Sequence, residues 1–142
     1  MNKIEETPPQ QSFGYLTVRA YTAGEALPVE GATVTVSDGG DRLINEEIVR
    51  LTGRSGQIEP LALPAPPIED SQSPSATRPY AVYDLTVTHP NFYTFRASGV
   101  PVFSGITSLQ PINMIPLTNY DTYKREPKDL TNSKSEQTLF DN

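Results

Sequence analysis

Between residues 13 and 118 the chain is a succession of short runs in which apolar and polar residues alternate, separated by Gly and Pro. In Tyr15-Leu16-Thr17-Val18-Arg19-Ala20-Tyr21, Leu16, Val18 and Ala20 share one face and Tyr15, Thr17, Arg19 and Tyr21 the other. A period of two is that of a half-buried strand. Residues 22–31 carry Gly and Pro punctuation and read as a loop. Ala32-Thr33-Val34-Thr35-Val36-Ser37 then alternates again, with Ala32, Val34 and Val36 inward. Asp38-Gly39-Gly40-Asp41 predicts a turn, since glycine supplies positive φ and aspartate bonds local amides. A third strand falls within 43–52. After Gly53-Arg54-Ser55-Gly56, residues 57–63 form a short strand that Pro60 confines to an edge or a bulge.

Residues 80–89 carry the clearest strand, with Val82, Asp84, Thr86 and Thr88 opposing Tyr83, Leu85, Val87 and His89. Beyond the Pro90-Asn91 turn, Phe92, Thr94 and Arg96 oppose Tyr93, Phe95 and Ala97, and 100–103 and 109–115 supply the last pairings. Seven or so short strands, with turns every 8–12 residues, predict a single all-β sandwich. It spans 13–118. Residues 1–12 form a polar N-terminal arm whose Pro8-Pro9 pair favours an extended chain. Residues 119–142 are a polar tail of mixed charge, expected to be disordered when alone, with Leu139-Phe140 available for docking. The five prolines of 64–79 mark an irregular loop, longer than a compact domain usually keeps without a use for it.

Composition narrows the function classes. With 142 residues, 36% hydrophobic and 20% charged, the chain suits one domain of roughly 100 residues plus appendages. A net charge of −6 leaves no basic excess to neutralise phosphates, which argues against nucleic acid or an anionic membrane face as partner. Cys is absent, so stability rests on packing without disulfides or thiolate metal sites. All four lysines (Lys3, Lys124, Lys128, Lys134) lie outside 13–118, so a Lys–Asn isopeptide bond within the sandwich has no amine. The opening residues carry no apolar core of a signal peptide, and no run approaches the ~18 apolar residues of a membrane span. This predicts cytoplasmic synthesis and no membrane insertion, with final location open between spore and other assemblies.

Candidate chemistry is sparse. His89 is the only histidine, so multi-histidine metal sites and a Ser-His-Asp triad are poorly supplied, and its position before Pro90 is that of a strand-end residue. Glu46 and Glu47 are adjacent on a strand and point to opposite faces, which argues against joint acid–base work. The Asp38 turn lacks calcium-loop spacing, and Glu69-Asp70 reads as a solvated pair. No catalytic residue, metal ligand or cofactor is expected. Tyr15, Tyr21, Tyr80, Tyr83 and Tyr93, with Phe92 and Phe95, form either a glycan-binding platform or ordinary packing. Packing is favoured for Tyr83 and Phe95.

Gly14-Tyr15-Leu16-Thr17-Val18, Leu27-Pro28-Val29-Glu30-Gly31-Ala32-Thr33-Val34 and the Thr52-Gly53-Arg54-Ser55-Gly56 turn resemble the carboxypeptidase regulatory-like, or transthyretin-like, domains. That family usually has Asp where Gly53 stands. Leu61-Ala62-Leu63-Pro64-Ala65-Pro66-Pro67-Ile68-Glu69, Arg78-Pro79-Tyr80-Ala81-Val82-Tyr83-Asp84-Leu85 and the extended 92–102 segment are similar to the N-terminal non-catalytic domain of clostridial spore cortex-lytic enzymes. The resemblance covers about 14–117 and implies a fold and an association with spore or envelope, not an activity.

The expected function is therefore a non-enzymatic structural or assembly subunit. Its partner would be protein, copies of itself included, and an extended arm can add to an exposed sheet edge. Candidate interaction residues are Thr7, Pro8, Pro9, Gln10 and Gln11 of the arm, Pro66, Pro67, Ile68, Glu69 and Tyr80 at the loop, and Leu139 and Phe140 of the tail. The alternative is a spore or cell-envelope accessory module that binds peptidoglycan or a cortex-lytic partner.

Overall fold

The structure, a computed structural model, describes residues 12–67, 78–118 and the backbone of 129–131. Among these residues the alternating runs become nine strands and no helix: β1 (Phe13–Thr22), β2 (Leu27–Pro28), β3 (Thr33–Asp38), β4 (Ile48–Leu51), β5 (Leu61–Pro64), β6 (Ala81–His89), β7 (Phe92–Val102), β8 (Thr107–Asn113) and β9 (Asp129–Thr131). They form a β-sandwich. In the first sheet β1 is central. β8 lies parallel to it from Tyr15 opposite Thr107 to Tyr21 opposite Asn113. On its other side, β5 pairs antiparallel with the start of β1, β2 with its end, and Gln57 bridges Arg19 between them. The second sheet has the order β4-β3-β6-β7-β9.

The predicted inward residues fill the space between the sheets. Leu16, Val18 and Ala20 of β1 face Ala32, Val34 and Val36 of the β3 region, with Leu85 and Val87 of β6, Phe95 and Val102 of β7, and Ile112 and Met114, all buried. Each fully buried Leu or Val contributes about 1.5–3 kcal/mol, so the one-face periodicity of these strands is what selects their register.

Some local geometry was not legible in the alternation. The sequence reads 92–97 and 100–103 as separate segments, whereas β7 runs through both. The extra residue is absorbed where the β6 partner shifts from Leu85 opposite Ala97 to Tyr83 opposite Val100. There Gly99 takes φ +69° and donates its amide to Asp84 Oδ1 at 3.1 Å. This is the geometry of a β-bulge stabilised by a neighbouring carboxylate. β2 forms inside the expected 22–31 loop. β9 lies in the tail that was expected to lack structure alone; it gains its hydrogen bonds from β7, running parallel to it from Thr94 opposite Asp129.

Thr52, buried, accepts the Ala32 amide at 2.9 Å and donates its hydroxyl to Val29 O at 2.7 Å, fastening the 29–32 segment to the end of β4. Gly14 lies where β1 passes the 103–105 turn, and a Cβ there would collide with the Phe103 carbonyl and come within 2.7 Å of Val102 Cγ1. Both neighbours are fixed, one by backbone and one by core packing. Gly14→Ala is therefore expected to destabilise the protein by about 1–3 kcal/mol, read as a lower urea midpoint with unchanged slope.

Candidate functional site

Elements distant in sequence converge at one end of the sandwich. The chain leaves the 1–11 segment at Ser12, whose carbonyl accepts the Ala65 amide at 2.9 Å, and Phe13 sits opposite Pro64. The Phe13 carbonyl accepts the Gly105 amide at 2.8 Å, holding the 103–105 turn alongside. Pro64 opens the proline-rich loop, and its carbonyl accepts the Tyr83 hydroxyl at 2.6 Å from the opposite sheet. Both the arm exit and the first anchor of the loop are thus fixed here.

The second anchor is built from Arg78-Pro79-Tyr80. Arg78 bonds Asp41 Oδ1 at 2.5 Å and the Tyr80 carbonyl at 3.2 Å, and its guanidinium lies 5.2 Å from the Tyr80 ring centre. The Tyr80 ring packs against Phe103 at 5.2 Å with planes at 53°. Asp41 Oδ2 accepts the Val82 amide at 2.9 Å, which carries the turn's geometry into β6. Asp38 closes the same turn by accepting the Gly40 amide at 3.0 Å and the Arg42 amide at 2.6 Å. The expectation that aspartate bonds local amides holds for Asp38. Asp41 instead reaches across to the loop.

The Tyr83 phenol is pushed up to about 12, by burial first and then by the Asp41 and Asp38 carboxylates. A neutral phenol donating to a carbonyl is a structural tie. The surface gathered here offers a guanidinium stacked on an aromatic ring, with Phe13 and Tyr15 exposed at 38% and 39% on the outer face of the first sheet. Such an arrangement binds through stacking and hydrogen bonding. Ile106 and Leu109 extend the exposed apolar surface onto the adjacent β8 side.

Of the expected interaction residues, the structure brings Pro66, Pro67 and Tyr80 to this end, each half-buried. Thr7, Pro8, Pro9, Gln10, Gln11, Ile68, Glu69, Leu139 and Phe140 lie outside the described residues. Sequence reasoning missed Asp41, Arg78 and Phe103. The Arg-Pro-Tyr triplet was visible, but nothing local shows that its partner is a turn 37 positions earlier.

The other aromatics divide. Tyr83 and Phe95 are buried as packing predicts, whereas Tyr15 is exposed and Tyr21 carries Arg19 stacked at 5.1 Å. His89 accepts the Asn91 amide on Nδ1 at 3.1 Å and meets Phe92 edge-on, which is a strand-end role. Among the described residues, no three His, Cys, Asp or Glu side chains gather to hold a metal ion.

No protein-family model and no curated protein matches the chain. Solved structures do. The Bacillus anthracis TIE protein is similar over 75% of this chain and 17% of its own, with TM-score 0.50 and 15% identity. Catechol 1,2-dioxygenase from Pseudomonas arvilla C-1 is similar over 90% of this chain and 60% of its own, with TM-score 0.51 and 12% identity. That of Acinetobacter sp. ADP1 matches over 89% and 60%, with TM-score 0.50 and 12% identity. The chain spans less than two thirds of each. At these identities the likeness is one of β-sandwich fold.

Tyr83→Phe removes the donor to Pro64 O and is expected to destabilise the protein by about 0.5–1.5 kcal/mol in urea titration at neutral pH. Because the folded phenol titrates above the unfolded one, its stabilisation is full below about pH 10 and is lost as pH rises towards 12. The Phe variant should lack that part of the alkaline decline, while other tyrosines titrate in both proteins.

Proposed function

We propose that the chain is a non-enzymatic assembly module of transthyretin-like type. It binds a protein partner, its own copies included, through the end of the sandwich where the arm and the proline-rich loop emerge. The observation that supports this is the convergence of Ser12, both anchors of the 64–79 loop and the Asp41 turn on one surface. Anchors so far apart in sequence bring the described ends of two connecting segments to one surface, which is how a rigid scaffold presents binding loops. Asp41 is held by Arg78 and the Val82 amide, and the Tyr83 hydroxyl by Pro64 O, leaving stacking surface and the emerging segments as the means of contact.

A second reading is a spore or envelope module that recognises peptidoglycan. It draws on the exposed rings of Phe13 and Tyr15 and on the sequence resemblance. Flat aromatic faces suit sugar rings, but here they also border the arm.

Light scattering and negative-stain microscopy of the full chain and of a form lacking residues 1–11 separate the two. Assembly of the full chain to particles much larger than 15.6 kDa, and its loss with an intact circular dichroism spectrum on removing the arm, is the expected result. Unchanged particle size with co-sedimentation on peptidoglycan, abolished by Tyr15→Ala, would overturn it in favour of the second reading.

A further inference from the structure

We propose that β4 is a strand-addition edge through which two copies of this chain pair, β4 to β4 and antiparallel, joining two five-stranded sheets into one. The proposal uses neither arm nor loop and does not rest on the preceding reading.

A sheet edge invites pairing unless something blunts it, and proline does so by removing a donor. Among the edge strands with described side chains, β2, β5 and β8 each contain a proline: Pro28, Pro64 and Pro111. β4 contains none. It also carries Val49 and Leu51, exposed at 52% and 65% on the outer face opposite Thr35 and Thr33.

The peptide groups on this edge are oriented for pairing. The Thr52 amide bonds Ala32 O at 2.9 Å, so alternation along the antiparallel ladder turns the peptide groups of Arg50 and Ile48 towards β3. Those of Val49 and Leu51 then face away. The Arg50 guanidinium shows where the unmet need lies, since it folds back to donate to the Val49 carbonyl at 2.9 Å. A proline blocks an edge permanently, but a side chain that covers one carbonyl can swing aside.

Charge selects the occupant and its direction. Glu46 and Glu47 precede the strand, Arg50 lies within its second half and Arg54 follows it, all exposed. Parallel pairing of two copies would set like charges together; antiparallel pairing sets acid against base twice. The register centred on Ile48 places Glu47, just before the strand, opposite Val49 of the second copy, whose own peptide groups face outward. Glu46, in the bend just before the strand, then falls beside Arg50 of that copy, within reach of an ion pair between facing side chains. Released from Val49 O, each Arg50 meets a carboxylate.

Sedimentation of the full chain over a concentration series, with residue-level hydrogen exchange, tests this. Expected are a dimer and amide protection at Val49 and Leu51 that rises with concentration. Val49→Lys, at an exposed site, should weaken dimerisation about tenfold or more. Leu51→Lys gives the same readout should the first variant fold poorly. Arg50→Glu should also weaken it, and Glu46→Arg with Arg50→Glu should restore it. Concentration-independent exchange at Val49 and Leu51, or dimerisation unaffected by both lysine variants, would overturn the proposal. Association lost on removing residues 1–11 yet kept in the lysine variants would sink it while sustaining the arm; the reverse pattern would sustain it and sink the arm.

Discussion

One phenol ties the two sheets together at the end where the proline-rich loop is anchored. Tyr83 is the bulkiest of the fully buried side chains, and it spans from β6 to the opposite sheet to donate to Pro64 O. Hydrophobic contact alone is non-directional and would tolerate sliding of one sheet over the other. A buried donor with one acceptor in reach does not, because separation leaves both groups without water. The first anchor of the loop is thereby locked to β6, and Asp41, bonded to Val82 on the same strand, locks the second.

The apolar pattern made the architecture readable because it is a one-dimensional record of a two-faced sheet. Leu16, Val18 and Ala20 could face only a core, and they do. What escaped it depends on pairing between distant positions. The bulge at Gly99 needs Asp84 across the ladder, and β9 exists only because β7 offers it an edge. Asp41 looked like an ordinary turn residue, since its neighbours Gly39 and Gly40 carry the turn signal. Its partner Arg78 lies beyond two intervening strands, and no local rule connects them. Tyr80 was singled out from its place beside the loop; Phe103, which packs against it, had no such cue.

The outward residues divide the surface into regions with different chemistry. On the outer face of the second sheet, β3 and β6 present Thr33, Thr35, Thr86 and Thr88 in cross-strand pairs, polar enough to remain solvated, while exposed Val49 and Leu51 lie at the β4 edge. The outer face of the first sheet is aromatic at its β1 start. Contact chemistry is therefore concentrated at an end and at an edge, which lie in different directions. An isologous edge contact closes on itself, whereas a heterologous contact through an end propagates, so the two would build different assemblies.

The parallel partnership of β1 and β8 has a consequence for synthesis. β1 is made before the other strands described in the sandwich, yet the strand that completes it on one side lies about 90 residues later. Until then its Leu16-Thr17-Val18 stretch holds a half-satisfied backbone, so the growing sandwich is exposed to wrong pairing between the making of β1 and of β8. Native closure of the first sheet waits on almost the whole sandwich having been made, which makes this sheet a late product of the domain's synthesis.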